Sequence, residues 1–147
     1  MLSIQLNMLN NDLENTCLQA TIPKGMAQCQ SRYIGLEGIS ISIDYKKDTD
    51  YIFSLEKLVN VIKKNNLLDQ ITHFSVYSTY EAENKLSGTI EELLKLKNLI
   101  YIDISSSNVT GDASLLLKLE NLKEIDISNT KITNIKFLEN SNIVLNS

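Results

Sequence analysis

Short runs in which apolar residues alternate with polar ones recur along the second half of the chain, and the clearest two are each preceded by a leucine-dense segment. Two of these runs align residue for residue, at 99–109 and at 122–132, with a displacement of 23 residues. Both carry apolar residues at places one, four and six and a hydroxyl residue at place nine. Alternation is typical of strands, and a fixed period of about 20–50 residues indicates a repeat architecture. The chain is therefore predicted to stack short strands, one from each repeat.

Weaker copies flank this pair. Residues 71–79 fit the same template, and residues 36–44 alternate apolar and small polar side chains as a strand does. The steps between copies lengthen to 28 and 35 residues towards the N-terminus, so these repeats carry longer connectors. After the last full copy, residues 143–145 predict a fifth, truncated strand.

The connectors are predicted to be helical to different extents. Apolar residues at three- and four-residue spacing predict a helix over 51–62. In the next connectors, Thr89 with Glu92 predicts a capping box, and Asp112 or Ser114 is expected to cap a short helix. Helices of this length place their apolar side chains against the strands.

The two aligned runs read LxxLxLxxTxL, with Ser107 and Thr130 at the ninth place. This pattern resembles the leucine-rich repeat family in its short bacterial type, with internalin-like spacing. Residues 86–99 also resemble the LxGxIxxxLxxLxxL spacing of longer repeats. The family usually carries Asn at the ninth place, where the side chain hydrogen-bonds the turn backbone. A hydroxyl is expected to do part of that work here.

The resemblance implies an α/β solenoid of four to five repeats, with a parallel sheet on its concave face and helices or turns on its convex face. Residues 36–147 are predicted to form the solenoid, and residues 1–35 an N-terminal capping segment within the same domain. An amphipathic helix is expected before Pro23. Its apolar residues are Leu6, Leu9, Leu13 and Leu18. The C-terminal edge has no predicted cap, so pairing with a second copy there is expected as well.

Outward-pointing residues of the stacked strands are predicted to form columns on one surface. The third place gives Gly38, His73, Tyr101 and Glu124; the fifth gives Ser40, Ser75, Asp103 and Asp126; the seventh gives Ser42, Tyr77, Ser105 and Ser128. Tyrosine is enriched at protein interfaces. The predicted protein-binding residues on this concave face are His73, Tyr77, Tyr101, Asp103, Glu124 and Asp126.

Composition and charge narrow the choice of partner. The 147 residues carry a net charge of −4, and Arg32 is the single arginine, so nucleic-acid binding is not expected. Carboxylates on the predicted face favour a basic protein partner. Hydrophobic residues make up 43% of the chain without any Trp, which agrees with a core of Leu and Ile.

The chain offers little for catalysis. His73 is the single histidine, so any enzyme hypothesis depends on it, and no oxyanion hole is indicated. Asp103 and Asp126 alone provide too few oxygen ligands for calcium. Glycine-rich phosphate-binding motifs are also missing from the sequence. No catalytic residue, metal site or cofactor is therefore expected.

The localisation of the protein is predicted from the export and membrane signals that its sequence contains or lacks. No apolar run is long enough to span a membrane and no signal peptide is recognisable, so the protein is predicted to be cytoplasmic, or secreted if the N-terminus is incomplete. Cys17 and Cys29 are predicted to be reduced, packed thiols, with a disulfide as the alternative after export.

The function predicted from these features is non-catalytic protein binding, as an inhibitor or immunity protein for a basic partner. The alternative is a secreted or surface, adhesin-like recognition protein. An enzyme that uses His73 is the third hypothesis.

Overall fold

The computed structural model describes residues 8–9, 11–12, 27–33, 39–45, 53–78 and 86–146, and these wind into a solenoid with two sheets. The main sheet has six strands, in the order β1 (Ala27–Tyr33), β2 (Ile39–Tyr45), β4 (Ile71–Ser78), β6 (Tyr101–Asp103), β8 (Glu124–Asp126) and β10 (Val144–Asn146). The second sheet has four, in the order β3 (Phe53–Ser54), β5 (Leu86–Thr89), β7 (Asn108–Asp112) and β9 (Lys131–Thr133). Apart from β1, all strand pairs are parallel.

Helical turns connect the second sheet back to the main sheet. They are the α-helices Leu55–Lys64 and Lys136–Glu139 and the 3-10 helices Leu68–Gln70, Ile90–Lys95 and Ala113–Lys118. The leucine-rich repeat solenoid with a parallel main sheet is thus confirmed. The structure also contains a second sheet that the sequence did not predict, and a strand of this sheet precedes each of the longer helical turns.

Leucine and isoleucine at places one, four and six fill the interior of the solenoid. Leu99, Ile102 and Ile104 are fully buried, and the equivalent residues of the neighbouring repeats are buried as well. Phe74 is the one aromatic residue in the described core. A core built mainly from stacked aliphatic side chains explains why the chain needs so few aromatic residues.

The register of β2 differs from the predicted one by two residues. Ile41, rather than Ile39, pairs with Phe74, and the pairing contains an irregularity between Ile39 and Ser40. A shift of two residues keeps the same side chains on each face of a strand. The expected columns were therefore wrong at β2, where Ser40 lies beside His73.

The first connector helix begins later than predicted. Ser54 ends strand β3 and caps the helix Leu55–Lys64, its Oγ accepting a hydrogen bond of 3.3 Å from the Lys57 N–H. The capping box at Thr89 was wrong, because no cap hydrogen bond forms there and Glu92 pairs with Lys95 at 2.7 Å. The cap at Asp112 is confirmed, since its carboxylate accepts from the Ser114 N–H.

The hydroxyl residues at the ninth place bind the turn backbone as expected. Thr130 Oγ1 donates to the Ile127 carbonyl at 2.7 Å and accepts from the Ile132 N–H at 3.4 Å. In the preceding repeat the Val109 N–H donates to Ser107 Oγ at 3.4 Å. A hydroxyl therefore supports the turn that follows β6 and the turn that follows β8.

The two ends of the main sheet differ. At the N-terminal end β1 runs antiparallel to β2, while Leu9, in a helical segment, is fully buried. Leu6, Leu13, Leu18 and Cys17 lie outside the described residues, as does the side chain of Cys29, so the capping segment 1–35 and the thiol state remain predictions. At the other end Val144 on β10 is 59% exposed. Dimerisation through this edge also remains a prediction.

Left-handed backbone conformations recur with the period of the repeat. Gly88, Gly111 and Asn134 follow one another at 23-residue intervals with φ of +121°, +128° and +58°. Glycine is required most at Gly111, where an added Cβ would lie 2.7 Å from Ile90 Cγ1. Strand β7 of one repeat thus lies directly against the buried Ile90 of the repeat before it.

Replacing Gly111 by alanine should destabilise the solenoid by about 3 kcal/mol, because backbone strain adds to the contact with Ile90. The free energy of unfolding is measured by urea denaturation followed by circular dichroism. Gly88→Ala is the matched comparison, since φ is similar but the nearest atom, Leu55 Cβ, lies at 3.2 Å. It should cost about 1 kcal/mol less. Equal losses would show that the contact with Ile90 has no effect.

Candidate functional site

Two rows of residues cross the strands of the main sheet on its outer face. The third-place row pairs Ser40, His73, Tyr101, Glu124 and Val144 across neighbouring strands. The fifth-place row pairs Ser42, Ser75, Asp103, Asp126 and Asn146. From β4 to β8 these are the columns predicted from the sequence.

An aromatic pair lies at the centre of the third-place row. The rings of His73 and Tyr101 stack with their centroids 6.0 Å apart and their planes at 30°. Thr72 Oγ1, which is buried, hydrogen-bonds His73 Nδ1 at 2.9 Å and holds the imidazole from the side. Both rings are half-buried, so the pair is partly fixed before any partner binds.

The two aspartates of the fifth-place row support the backbone at the ends of their strands. Asp103 Oδ1 accepts from the Ser105 N–H at 3.0 Å and from Ser105 Oγ at 2.7 Å. Asp126 Oδ1 accepts from the Ser128 N–H and Oγ at 3.0 and 2.6 Å. One oxygen of each carboxylate is therefore structural, a role that the sequence analysis did not assign. The repeated Asp-Ile-Ser tripeptide was the signal for it.

The second sheet repeats this device at the end of β7. Asp112 Oδ1 accepts from the Ser114 N–H and Oγ at 2.9 and 2.6 Å, and Oδ2 accepts from Asn134 Nδ2 at 2.8 Å. Hydrogen bonds from Ser114 and Asn134 lower the pKa of the Asp112 carboxyl below its usual value. Asp112 thus makes the same hydrogen bonds to a serine as Asp103 and Asp126 do, although it belongs to the other sheet. The shared role of these aspartates at strand ends is therefore structural.

The carboxylates of the outer face act on Tyr101. Partial burial of the phenol raises the pKa of Tyr101, and the negative charges of Asp103, Glu124 and Asp126 raise it further. Among the described residues, none of these three carboxylates takes part in an ion pair; the two ion pairs seen there are Lys64–Asp12 and Lys95–Glu92. The aromatic pair therefore lies in a region of negative potential.

Five of the six predicted binding residues lie together on this face. They are His73, Tyr101, Asp103, Glu124 and Asp126, which occupy adjacent positions on three strands. Tyr77 lies on β4, opposite Asp44 rather than the expected Ser42. Its side chain lies outside the described part of the structure.

A ladder of asparagines, which the sequence analysis did not identify, runs along the turns that precede the strands. Asn98 Nδ2 donates to the Asp69 carbonyl at 2.7 Å, and Asn121 Nδ2 donates to Asn98 Oδ1 at 3.3 Å. The Asn-Leu dipeptide at the start of two repeats was its signal. The ladder fixes one repeat to the next beside the outer face.

The described residues contain no cluster of three His, Cys, Asp or Glu side chains that could hold a metal ion. None of the helices in the same part of the chain has the length and apolar character that crossing a bilayer requires.

Asp126→Ala is expected to lower the free energy of unfolding by about 2 kcal/mol, because it leaves the Ser128 N–H without its charged acceptor. Asp126→Asn keeps an oxygen acceptor and should cost about half as much. Urea denaturation measures both. If the two variants were equally unstable, charge rather than the hydrogen bonds to Ser128 would account for the contribution of Asp126.

Asp103→Asn is expected to lower the raised pKa of Tyr101 towards its ordinary value of 10.0, without reaching it, because burial remains. Phenolate absorbance is followed against pH in each background, and the contribution of Tyr101 is isolated by subtracting a Tyr101→Phe variant. Glu120→Gln, a change at an exposed residue outside the face, should leave this pKa unaltered. A Tyr101 that titrates at its ordinary value in the parent protein would contradict the electrostatic picture.

The titration of Tyr101 also affects stability. Since its folded-state pKa is raised, folding favours the protonated phenol, and this contribution is lost as the pH rises through the folded-state pKa.

No protein-family model matches the chain, and no curated protein matches it. Among solved structures, the leucine-rich repeat ectodomain of the receptor kinase SOBIR1 from Arabidopsis thaliana is similar over 96% of this chain and 87% of that one, with 13% identity and a TM-score of 0.42. The repeat assignment rests on the 23-residue period and the two parallel sheets, not on this similarity. The bacterial repeat type remains a prediction.

Proposed function

We propose that this chain is a binding module, without catalysis, that recognises another protein through the outer face of its main sheet. The observation that carries the proposal is the half-buried His73–Tyr101 stack beside carboxylates that have no described ion-pair partner. Stacked rings offer rigid, partly apolar contact area at little entropic cost, and aromatic anchors of this kind dominate many interfaces.

The surroundings of the aromatic pair favour close approach by a partner. Ser75 lies on β4, and Ser105 and Ser128 lie two residues beyond the ends of β6 and β8. The short side chains of these serines leave Tyr101 as the largest described residue at the centre of the face. Tyr101 is therefore the residue around which a partner surface would close.

Charge favours a basic partner. Asp103, Glu124 and Asp126 give the face a negative potential, which would speed association with a cationic surface. More specifically, we propose that the chain covers the surface of a basic protein, as an inhibitor or immunity protein does. No described feature favours the adhesin-like alternative.

The arrangement of His73 supports a contact role. Its Nδ1 is hydrogen-bonded to Thr72, and its ring lies against Tyr101. A general base needs a positioned nucleophile and a group that stabilises developing charge. Stacking and hydrogen bonding instead fix the ring as part of the surface, so the proposal assigns His73 to binding.

The test compares capture of proteins from an extract of the source cells by three immobilised baits. The first is the parent chain, and the second is the face variant Tyr101→Ala, Asp103→Asn and Asp126→Asn. Asparagine preserves the acceptor for Ser105 and Ser128, so the fold is retained while charge and ring are lost. Proteins captured by the parent should be depleted at least tenfold by the face variant, as expected for loss of a central aromatic anchor.

The third bait carries Leu117→Ala and Phe137→Ala, two exposed apolar residues on the helical side, each 46% exposed. It should capture the same proteins as the parent. The proposal fails if the face variant retains every partner, and it also fails if the Leu117 and Phe137 variant is the one that loses them.

A further inference from the structure

Glu124 is distinguished from the other acids of the outer face by the lack of a local structural role. Asp103 and Asp126 each bind a serine at the end of their strand. In the described part of the chain, by contrast, no hydrogen bond or ion pair holds the Glu124 carboxylate. It is half-buried, and its backbone pairs directly with Tyr101 across β6 and β8.

The neighbouring aspartates add negative charge that the fold does not neutralise. Asp103 and Asp126 lie directly opposite each other on parallel strands, about 4.8 Å apart at the backbone. Like charges in this position repel each other. The hydrogen bonds to serine use one oxygen of each aspartate, so the second oxygens are the ones left to face a cation. A bound cation would remove the repulsion.

The aromatic ring selects among cations. His73 stacks with Tyr101 from β4, while Glu124 is its neighbour on β8. A planar guanidinium stacks on an aromatic ring and donates two parallel hydrogen bonds to a carboxylate, whereas an ammonium group is a strongly hydrated point charge. Ring and carboxylates on adjacent strands therefore suit arginine better than lysine.

We propose that Tyr101, Glu124 and the Asp103–Asp126 pair form a subsite for an arginine side chain of the protein partner. This inference rests on the proposed function, which it deepens by naming the chemistry of the bound segment. The guanidinium stacks against Tyr101 and hydrogen-bonds Glu124 and the free oxygens of the aspartates. His73 supports the ring from the opposite side.

The probe is an acetylated and amidated peptide of three Gly-Arg dipeptides, compared with the same peptide carrying Lys in place of Arg. Binding to the full chain is followed by amide chemical-shift changes at fixed ionic strength. The arginine peptide should bind about two- to fivefold more tightly than the lysine peptide, with the largest shifts on β6 and β8.

Variants separate the ring from the charge. Tyr101→Ala should remove the preference for arginine, while Tyr101→Phe should keep it because the ring remains. Glu124→Gln should weaken both peptides about two- to fivefold. Glu120→Gln is the matched control, an exposed acid close in sequence but outside the face, and it should change neither affinity.

Equal affinity for the two peptides would overturn the proposal, because electrostatics alone would then explain the binding. Shifts confined to the helical side would overturn it too, as would an arginine preference that survives Tyr101→Ala. The capture experiment is independent of these results. A partner lost by the face variant while the peptides bind equally would leave the proposed function standing and reject the arginine subsite alone.

Discussion

The constraint on which this structure depends is that every turn of the chain must stack in register on the turn before it. Strands in one sheet lie about 4.8 Å apart, so the side chains at a given place of successive repeats must pack directly on one another. Ile102 and Ile125 pair in this way inside the solenoid, and Tyr101 and Glu124 pair outside it. The same spacing that closes the core thus brings the candidate binding residues together. Hydrogen bonds between turns, such as those from Asn121 to Asn98 and from Asn134 to Asp112, maintain it.

The parts of the fold that could be predicted are those in which one residue type recurs at a fixed place. Alternation alone predicts that Ile102 and Ile125 point inward. It then predicts that their neighbours Asp103 and Asp126 point outward. The second sheet could not be read in this way. In β5 there is no apolar alternation over Ser87, Gly88 and Thr89, and Gly88 has a low strand propensity. The extended conformation of these residues therefore arises from pairing with the next turn. Tertiary context, not local preference, makes this strand.

The register of β2 shows a different limit. Ile39, Ile41 and Ile43 alternate uniformly, so a shift of two residues leaves every side chain on its original face. The local sequence of β2 does not distinguish the two registers. The register is determined by how β2 pairs with β4. For the site, residue positions on β6 and β8 were predictable from the alignment, but the hydrogen bonds of the aspartates were not. From the sequence alone, an acidic residue at an outward strand position is predicted to be a surface charge. Only the structure shows that the serine two residues later donates hydrogen bonds to it.

The Asp-Ile-Ser caps have a consequence for how this surface could change over evolutionary time. Asp103 and Asp126 are each held to a strand end by two hydrogen bonds, so replacing them carries a folding cost. The neighbouring third-place row includes Glu124, for which the described structure shows no such bond. Substitutions that adapt the surface to a new partner would therefore cost the least stability in the third-place row, while the fifth-place row stays nearly constant. Fold maintenance and specificity would then be encoded in alternate residues of the same three-residue strand.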